Sequence, residues 1–129
     1  KEVKIKISKM KKKKFLFVYF IKYKNQIILK KRTNTKLLGG LMEVPNNLLN
    51  SKISYKNAIK YAPIKLDWKV FPGKLESTIS NFELEIKFLK AQTKKKLILK
   101  NAVWVDKDDL EKIPISTLMK NILSYLNSS

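Results

Sequence analysis

Carboxylates are scarce in this sequence, and their placement limits the chemistry it can perform. Ten Asp and Glu residues stand against 29 Lys and Arg, with no His and no Cys. The lack of His removes the commonest general base, triad member and zinc ligand. The lack of Cys removes disulfides and thiolate metal sites. The densest acidic group, Asp106, Asp108, Asp109 and Glu111, falls where a short helix should start, a capping and dipole pattern rather than a metal cage. Glu83 and Glu85 share an expected strand face with Lys87, consistent with a solvated surface. Glycosidase chemistry needs two placed carboxylates, and none are set out for it. The segment NNLLNSKISYKNAIKYA after Pro45 contains no acid at all, so a helix there has no carboxylate to hold magnesium beside a pyrophosphate. The chain reads as non-catalytic.

Binding chemistry is better represented. Ser77-Thr78-Ile79-Ser80-Asn81-Phe82-Glu83-Leu84 joins a small polar corner to a core-facing strand. Its hydroxyls and amide can donate and accept hydrogen bonds at base edges, and Ile79 suits an apolar wedge between stacked bases. A Ser/Thr turn before a strand is also ordinary scaffold. The net charge of +19 attracts polyanions, nucleic acid or an anionic membrane surface. Nearly all of it is Lys, however, with Arg32 the sole arginine. Abundant Lys, Ile and Asn is also what an AT-rich genome encodes, and base-reading proteins favour Arg. Residues 1–14 form a basic arm ending in Met10-Lys11-Lys12-Lys13-Lys14. It reads mainly as a solvated linker, with Lys11 to Lys14 as candidate phosphate contacts. Val3, Ile5 and Ile7 alternate with Lys there and allow a short strand.

The elements that must position these residues form one domain, since 129 residues at 44% hydrophobic suffice for a single core. Phe15 to Tyr23, FLFVYFIKY, reads as a central strand buried on both faces. Lys24-Asn25 is a tight turn, with Asn tolerating left-handed backbone, and Gln26 to Arg32 returns as a second strand. Thr33 to Lys36 is a polar loop, and residues 46–53 look irregular. Ser54 is placed to cap a short helix carrying Tyr55, Ala58, Ile59 and Ala62, ended by Pro63. Ile64, Leu66, Trp68 and Val70 alternate with polar residues as a half-buried strand, and Phe71-Pro72-Gly73 reads as a turn. Phe82, Leu84, Ile86 and Phe88 mark one face of a strand over 82–90. Gln92 to Lys96 is a polar hairpin loop, followed by short strands at 97–99 and 102–105. Asp106 caps a short helix that Pro114 breaks. Ser116 or Thr117 starts a last helix with Leu118, Met119, Ile122, Tyr125 and Leu126 on its apolar face. The expectation is an α+β domain, a mixed sheet with helices packed on it. No apolar run approaches the ~20 residues of a spanning helix, and no signal peptide is visible. The first residue is Lys1 rather than Met, so the chain is expected to be a piece of a longer protein of the bacterial cytoplasm.

One further stretch is uncharged until its seventh residue: Leu37-Leu38-Gly39-Gly40-Leu41-Met42-Glu43-Val44-Pro45. Adjacent glycines permit positive φ or close approach, and Pro45 stops any regular element. LLGGLMEVP resembles the GLLGGLWEFPGG loop of the carboxy-terminal domain of adenine DNA glycosylases, the MutY family, with Met42 for Trp, Val44 for Phe and Asn46 for Gly. Ile79-Ser80-Asn81 followed by FELEI fits that family's Phe-Ser-His or Phe-Thr-His motif and the strand after it. Trp104-Val105, Leu110 and Ile113-Pro114-Ile115-Ser116-Thr117-Leu118-Met119-Lys120 resemble its closing WV strand end, Leu and ALPTLMRK. The three blocks fall in family order and span about residues 15 to 126.

The resemblance implies a Nudix-like mixed sheet flanked by helices, laid out as a basic arm over 1–14 and an 8-oxoguanine-recognition domain over 15–129. It implies double-stranded DNA carrying 8-oxoguanine opposite adenine as partner, read so that a catalytic domain absent from this chain excises the adenine. Ile79 would be the wedge and Ser80 the lesion reader, with Asn81 replacing the supporting His and keeping its hydrogen-bonding ability. Ile in place of Phe loses the stacking face. Thr78, Ile79, Ser80, Asn81 and Lys74 make up the implied nucleic-acid-binding set. The family's iron–sulfur cluster, [4Fe-4S], and its catalytic residues belong to the amino-terminal glycosylase domain, so no cofactor is expected in this chain, which is expected to be monomeric. Two alternatives stay open: a Nudix-type hydrolase of modified nucleoside triphosphates, and a basic nucleic-acid-binding module indifferent to the lesion.

Overall fold

The computed structural model describes residues 12–31, 41–79 and 82–127. A long strand, β1 (Lys12–Tyr23), forms the spine of the sheet. Six consecutive buried residues run along it, Leu16 to Ile21, because aromatic and β-branched side chains fill both of its faces. It starts at Lys12, three residues inside the stretch read as a basic arm. The chain turns at Lys24-Asn25 into β2 (Gln26–Lys31). Lys24 takes the left-handed backbone, at φ 52, while Asn25 donates its side-chain amide to Asp106 at 2.9 Å.

Two short strands follow, β3 (Met42–Glu43) and β4 (Asn46–Leu49). Residues 46–53 had read as irregular. Instead β4 lies antiparallel to Phe15–Val18 of β1, because β2 accompanies β1 only at its last two residues and leaves that edge open. Val44 and Pro45, at the end of the Gly-Gly stretch, are fully buried. Gly39 and Gly40 themselves lie outside the described residues, as do the possible strand at Val3, Ile5 and Ile7, the loop at 33–36, and Arg32.

Ser54 accepts a hydrogen bond from the Asn57 amide and caps α1 (Tyr55–Lys60). The next segment was expected to be a strand. Ile64, Leu66 and Trp68 do pack inward, but they have no ladder partner, and the Trp68 indole donates to the Ile64 carbonyl at 3.1 Å. The expected turn at Phe71-Pro72-Gly73 is instead a bulge inside a continuous strand, β5 (Lys69–Ile79). Phe71 pairs with Phe88 and Lys74 with Lys87, so Pro72 and Gly73 are extra residues in the ladder. Pro lacks the ladder N–H, Gly73 takes φ +91, and Tyr125 donates its hydroxyl to the Pro72 carbonyl at 3.0 Å.

β6 (Phe82–Gln92) runs parallel to β1 along eleven residue pairs and antiparallel to β5. β7 (Ala102–Asp106) pairs with β2, and no strand forms at 97–99. Asp106 caps a 3-10 helix, Lys107–Lys112, rather than an α-helix. Ser116 accepts from the Met119 amide at the start of α2 (Thr117–Asn127). The sheet order is β3-β2-β1-β6-β5, with β4 on β1 and β7 on β2. The result is the mixed, helix-flanked α+β architecture that the sequence implied.

The sheet separates two cores. On one face Leu16, Val18, Phe20, Leu84, Ile86 and Phe88 pack under α2 through Met119, Ile122, Leu123 and Leu126. On the other, Phe17, Tyr19, Ile21, Leu89 and Ala91 pack under α1 through Ala58 and beside Trp68. A hydrogen bond of 2.7 Å from the Tyr19 hydroxyl to the Ala58 carbonyl pins α1 to the spine. Burial holds that phenol above its ordinary pKa, with the Asn47 hydrogen bond pulling the other way. No helix among the described residues is long and apolar enough to cross a membrane.

Candidate nucleic-acid interface

The polar corner of the sequence is the far end of the β5–β6 hairpin. Ser77, Thr78 and Ile79 belong to β5 rather than to a loop, and Ile79 pairs with Phe82 across the hairpin. Strand alternation sends neighbours to opposite faces. Thr78 is exposed and pairs with Glu83 on the α1 side. Ile79 is half-buried against the α2-side core. Ser80 and Asn81, the expected lesion reader and its support, lie outside the described residues.

The fold brings the basic start of β1 to this hairpin end. Lys12 pairs with Phe82 and Lys13 with Glu83 in the parallel ladder, and the Lys14 ammonium sits 4.6 Å from the centre of the Phe82 ring. A notch of about 610 Å³ is lined by Lys12, Lys13, Lys14, Asn50 and Phe82. Two stretches some 65 residues apart in the chain, each a candidate for nucleic acid by composition, therefore share one edge of the molecule. Lysines for phosphate beside hydroxyl and apolar groups for bases is a sound division of labour at such an edge.

Lys74, five residues before Ile79 along β5, is already engaged. Its ammonium lies 3.4 Å from one oxygen of Glu85 and 3.9 Å from Glu76. Glu85 had read as part of a solvated face, but it is 3% exposed. Burial by itself would raise its pKa. The Lys13 hydrogen bond and the charges of Lys74 and Lys52 outweigh that and hold the carboxyl below its ordinary range. Lys13 and Lys52, at 3.3 and 4.0 Å, complete a ring of three cations around it. Sequence reading missed this centre. The signal was present: in FELEIKFLKAQ the second face continues into Leu89 and Ala91, so Glu85 stands in a strand covered on both sides and requires partners.

The NUDIX domain profile matches residues 17–125. The chain belongs to the Nudix domain family. Among solved structures, the C-terminal domain of mouse MUTYH, crystallised with human PCNA, superposes with a TM-score of 0.68 at 15% identity, covering 89% of this chain and 88% of that one. MutT, from work on Aliivibrio salmonicida and Vibrio cholerae, gives 0.64 at 16% identity, with 88% and 96% covered. RenU, a Nudix hydrolase from M. smegmatis, gives 0.62 at 13%, with 92% and 84% covered. At these identities the likeness is one of fold. No curated protein matches in sequence.

Nudix hydrolases grip magnesium with a Glu-rich helix, and the corresponding segment here does not suit the ion. The helix α1 reads YKNAIK, and residues 46–62 around it contain no Asp or Glu. Hard divalent cations need anionic oxygens. Among the described residues no group of three His, Cys, Asp or Glu side chains is placed to hold a metal ion. Glu85 is surrounded by ammonium groups, which exclude a cation from it.

Proposed function

We propose that this Nudix domain is the lesion-recognition part of an adenine DNA glycosylase. It would read 8-oxoguanine opposite adenine while a catalytic domain of the complete protein flips and excises the adenine. The observation that carries the reading is a Nudix fold whose magnesium-helix segment, 46–62, has no carboxylate. A hydrolase cannot dispense with those groups, whereas a domain that only binds can. The ordered sequence blocks at Leu37–Pro45, Ile79–Ile86 and Trp104–Lys120, which resemble the MutY family, support this reading among Nudix relatives. The geometry supports it too, since the lysine-rich start of β1 flanks the hairpin end that carries Thr78 and Ile79.

In this reading Lys12 to Lys14 hold the duplex backbone, and the β5–β6 hairpin end meets the oxidised base. Ile79 supplies the wedge, Ser80 and Asn81 the polar contacts, and Thr78 a flanking hydroxyl. Such contacts position the duplex through phosphate and specify it through the base. The test uses the complete protein and two matched duplexes, 8-oxoguanine opposite adenine and guanine opposite adenine. Tighter binding to the first is expected, and Ser80→Ala should narrow the difference. Equal affinity for the two would overturn the reading. The hydrolase alternative predicts magnesium-dependent pyrophosphate release from nucleoside triphosphates, and none is expected.

A further inference from the structure

We infer that Lys13, Lys52 and Lys74 form a preorganised clamp for one backbone phosphate, with Glu85 as its internal anchor. The inference rests on the DNA-binding reading above and adds a specific contact to it. Three ammonium groups lie within 4.0 Å of a single carboxylate. Glu85 brings one negative charge against three positive ones, and the exposed carboxylates of Glu76 and Glu83 flank the cluster. Lys74 also approaches Glu76, but at 3.9 Å and with the Glu76 side chain 65% exposed, so solvent screens that pair.

The anchor is rigid and the cations are not hidden. Glu85 is buried at the centre of three strands, in register with Phe15 of β1 and Glu76 of β5. The lysine side chains are 46%, 64% and 49% exposed. An ammonium has three donors, and each lysine directs at most one at Glu85. Lys13 also borders a cleft of about 300 Å³ that Glu76, Ser77, Thr78, Glu83 and Leu84 complete. The anchor itself is under-used. Lys13 and Lys74 crowd one Glu85 oxygen, and the other is buried with no hydrogen-bond partner, because Lys52 stands off at 4.0 Å. Long lysines ordinarily lose much rotamer freedom on binding an anion. Here the carboxylate has already gathered them, so the loss at binding is smaller. A tetrahedral phosphate, with several charged acceptor oxygens, fits three convergent donors. The site adjoins Thr78 at the hairpin end, close enough for the same DNA strand to reach both.

The sign of one substitution separates this clamp from bulk attraction. Glu85→Gln raises the net charge by one, so general electrostatics predicts tighter DNA binding. A clamp that depends on its anchor predicts weaker binding, by about threefold or more. Duplex affinity of the full chain is measured against salt for wild type, Glu85→Gln, and Lys13→Gln, Lys52→Gln and Lys74→Gln singly. Lys24→Gln, just past the opposite end of β1 from Lys13, and Lys65→Gln, both on exposed positions, serve as controls. Each ring lysine should weaken binding and flatten the slope of log affinity against log salt, with about 0.9 lost when all three are replaced together, and the controls should leave it unchanged. Tighter binding by Glu85→Gln, or ring variants that match the controls, would overturn the clamp. Should Glu85→Gln fail to fold, the single lysine variants decide alone. The preference for 8-oxoguanine should survive every lysine change, since phosphate contacts carry no sequence information. A lost preference in wild type would therefore strike the proposed function and leave the clamp standing.

Discussion

Two residues show what burial does to a polar group in this protein. Glu85 is ionised in a strand where most neighbours are apolar, and it is tolerated because Lys13, Lys74 and Lys52 surround it. Its folded pKa is depressed. Its contribution to stability is therefore complete above the unfolded value of about 4.3 and is lost as pH falls through the lower folded value. Tyr55 also faces this charge, its own pKa raised by burial first and by Glu85 second, but it titrates far above this window. In urea melts, Glu85→Gln should be less stable than wild type at pH 7, and the gap should shrink as pH falls below about 4. Parallel curves for the two proteins would show that the lysine ring does not act on this carboxyl. Tyr19 is the simpler case. Tyr19→Phe removes the hydrogen bond to Ala58 and leaves that buried carbonyl without it, so a loss of about 1–2 kcal/mol is expected by chemical denaturation. The same change also removes one acceptor of the Asn47 amide, which donates to Tyr19 at 3.2 Å and keeps its bond to the Tyr61 carbonyl at 3.0 Å.

At the scale of elements, the bulge in β5 sets which way the strand carrying the candidate residues faces. Phe71 packs with Phe88 and Tyr125 on the α2 side, and after Pro72 and Gly73 the strand resumes with Lys74 beside Lys87 on the other. A Cβ on Gly73 would overlap the Tyr125 hydroxyl, at a φ that L-residues rarely adopt. Gly73→Ala should therefore cost about 1–3 kcal/mol. In a Tyr125→Phe background the overlapping atom is gone, so the cost of the same change should fall. An unchanged cost would assign all of it to backbone strain. This bulge also marks the limit of what the sequence disclosed. Pro-Gly between apolar residues is locally identical for a turn and for a bulge, and only the partner β6 decides between them. The same holds for β4, whose Asn-rich residues form a strand because β1 has a free edge there. By contrast β1, β6 and α2 were legible, since their apolar periodicity is long and unbroken. Of the candidate site, the proximity of Lys12–Lys14 to Thr78 was hidden, because it arises from a parallel pairing between strands remote in sequence. Glu85 was misread because alternation alone does not say whether a second face is covered.

The whole molecule carries 29 basic against 10 acidic residues, and this imbalance acts on folding and on binding in opposite senses. In the compact state the lysines repel one another over distances comparable to the Debye length, ~10 Å at 0.1 M salt. One such place is explicit: burial lowers the pKa of Lys107, and the neighbouring Lys22 and Lys90 lower it further. A group whose folded pKa is depressed destabilises the fold while it is protonated, so the strain is present at neutral pH and relaxes as pH rises through the folded value. Added salt screens the same repulsion. The melting temperature should therefore rise by a few degrees between about 50 and 500 mM sodium chloride, and Lys107→Gln should raise it at low salt and blunt the response. Duplex affinity should fall steeply over the same range, because each phosphate contact releases condensed counterions. Scanning fluorimetry and a binding titration on one salt series test both. A melting temperature that falls with salt would mean that the ring around Glu85 and similar ion pairs outweigh the net repulsion. The +19 charge would then be organised for stability as well as for contact with a polyanion.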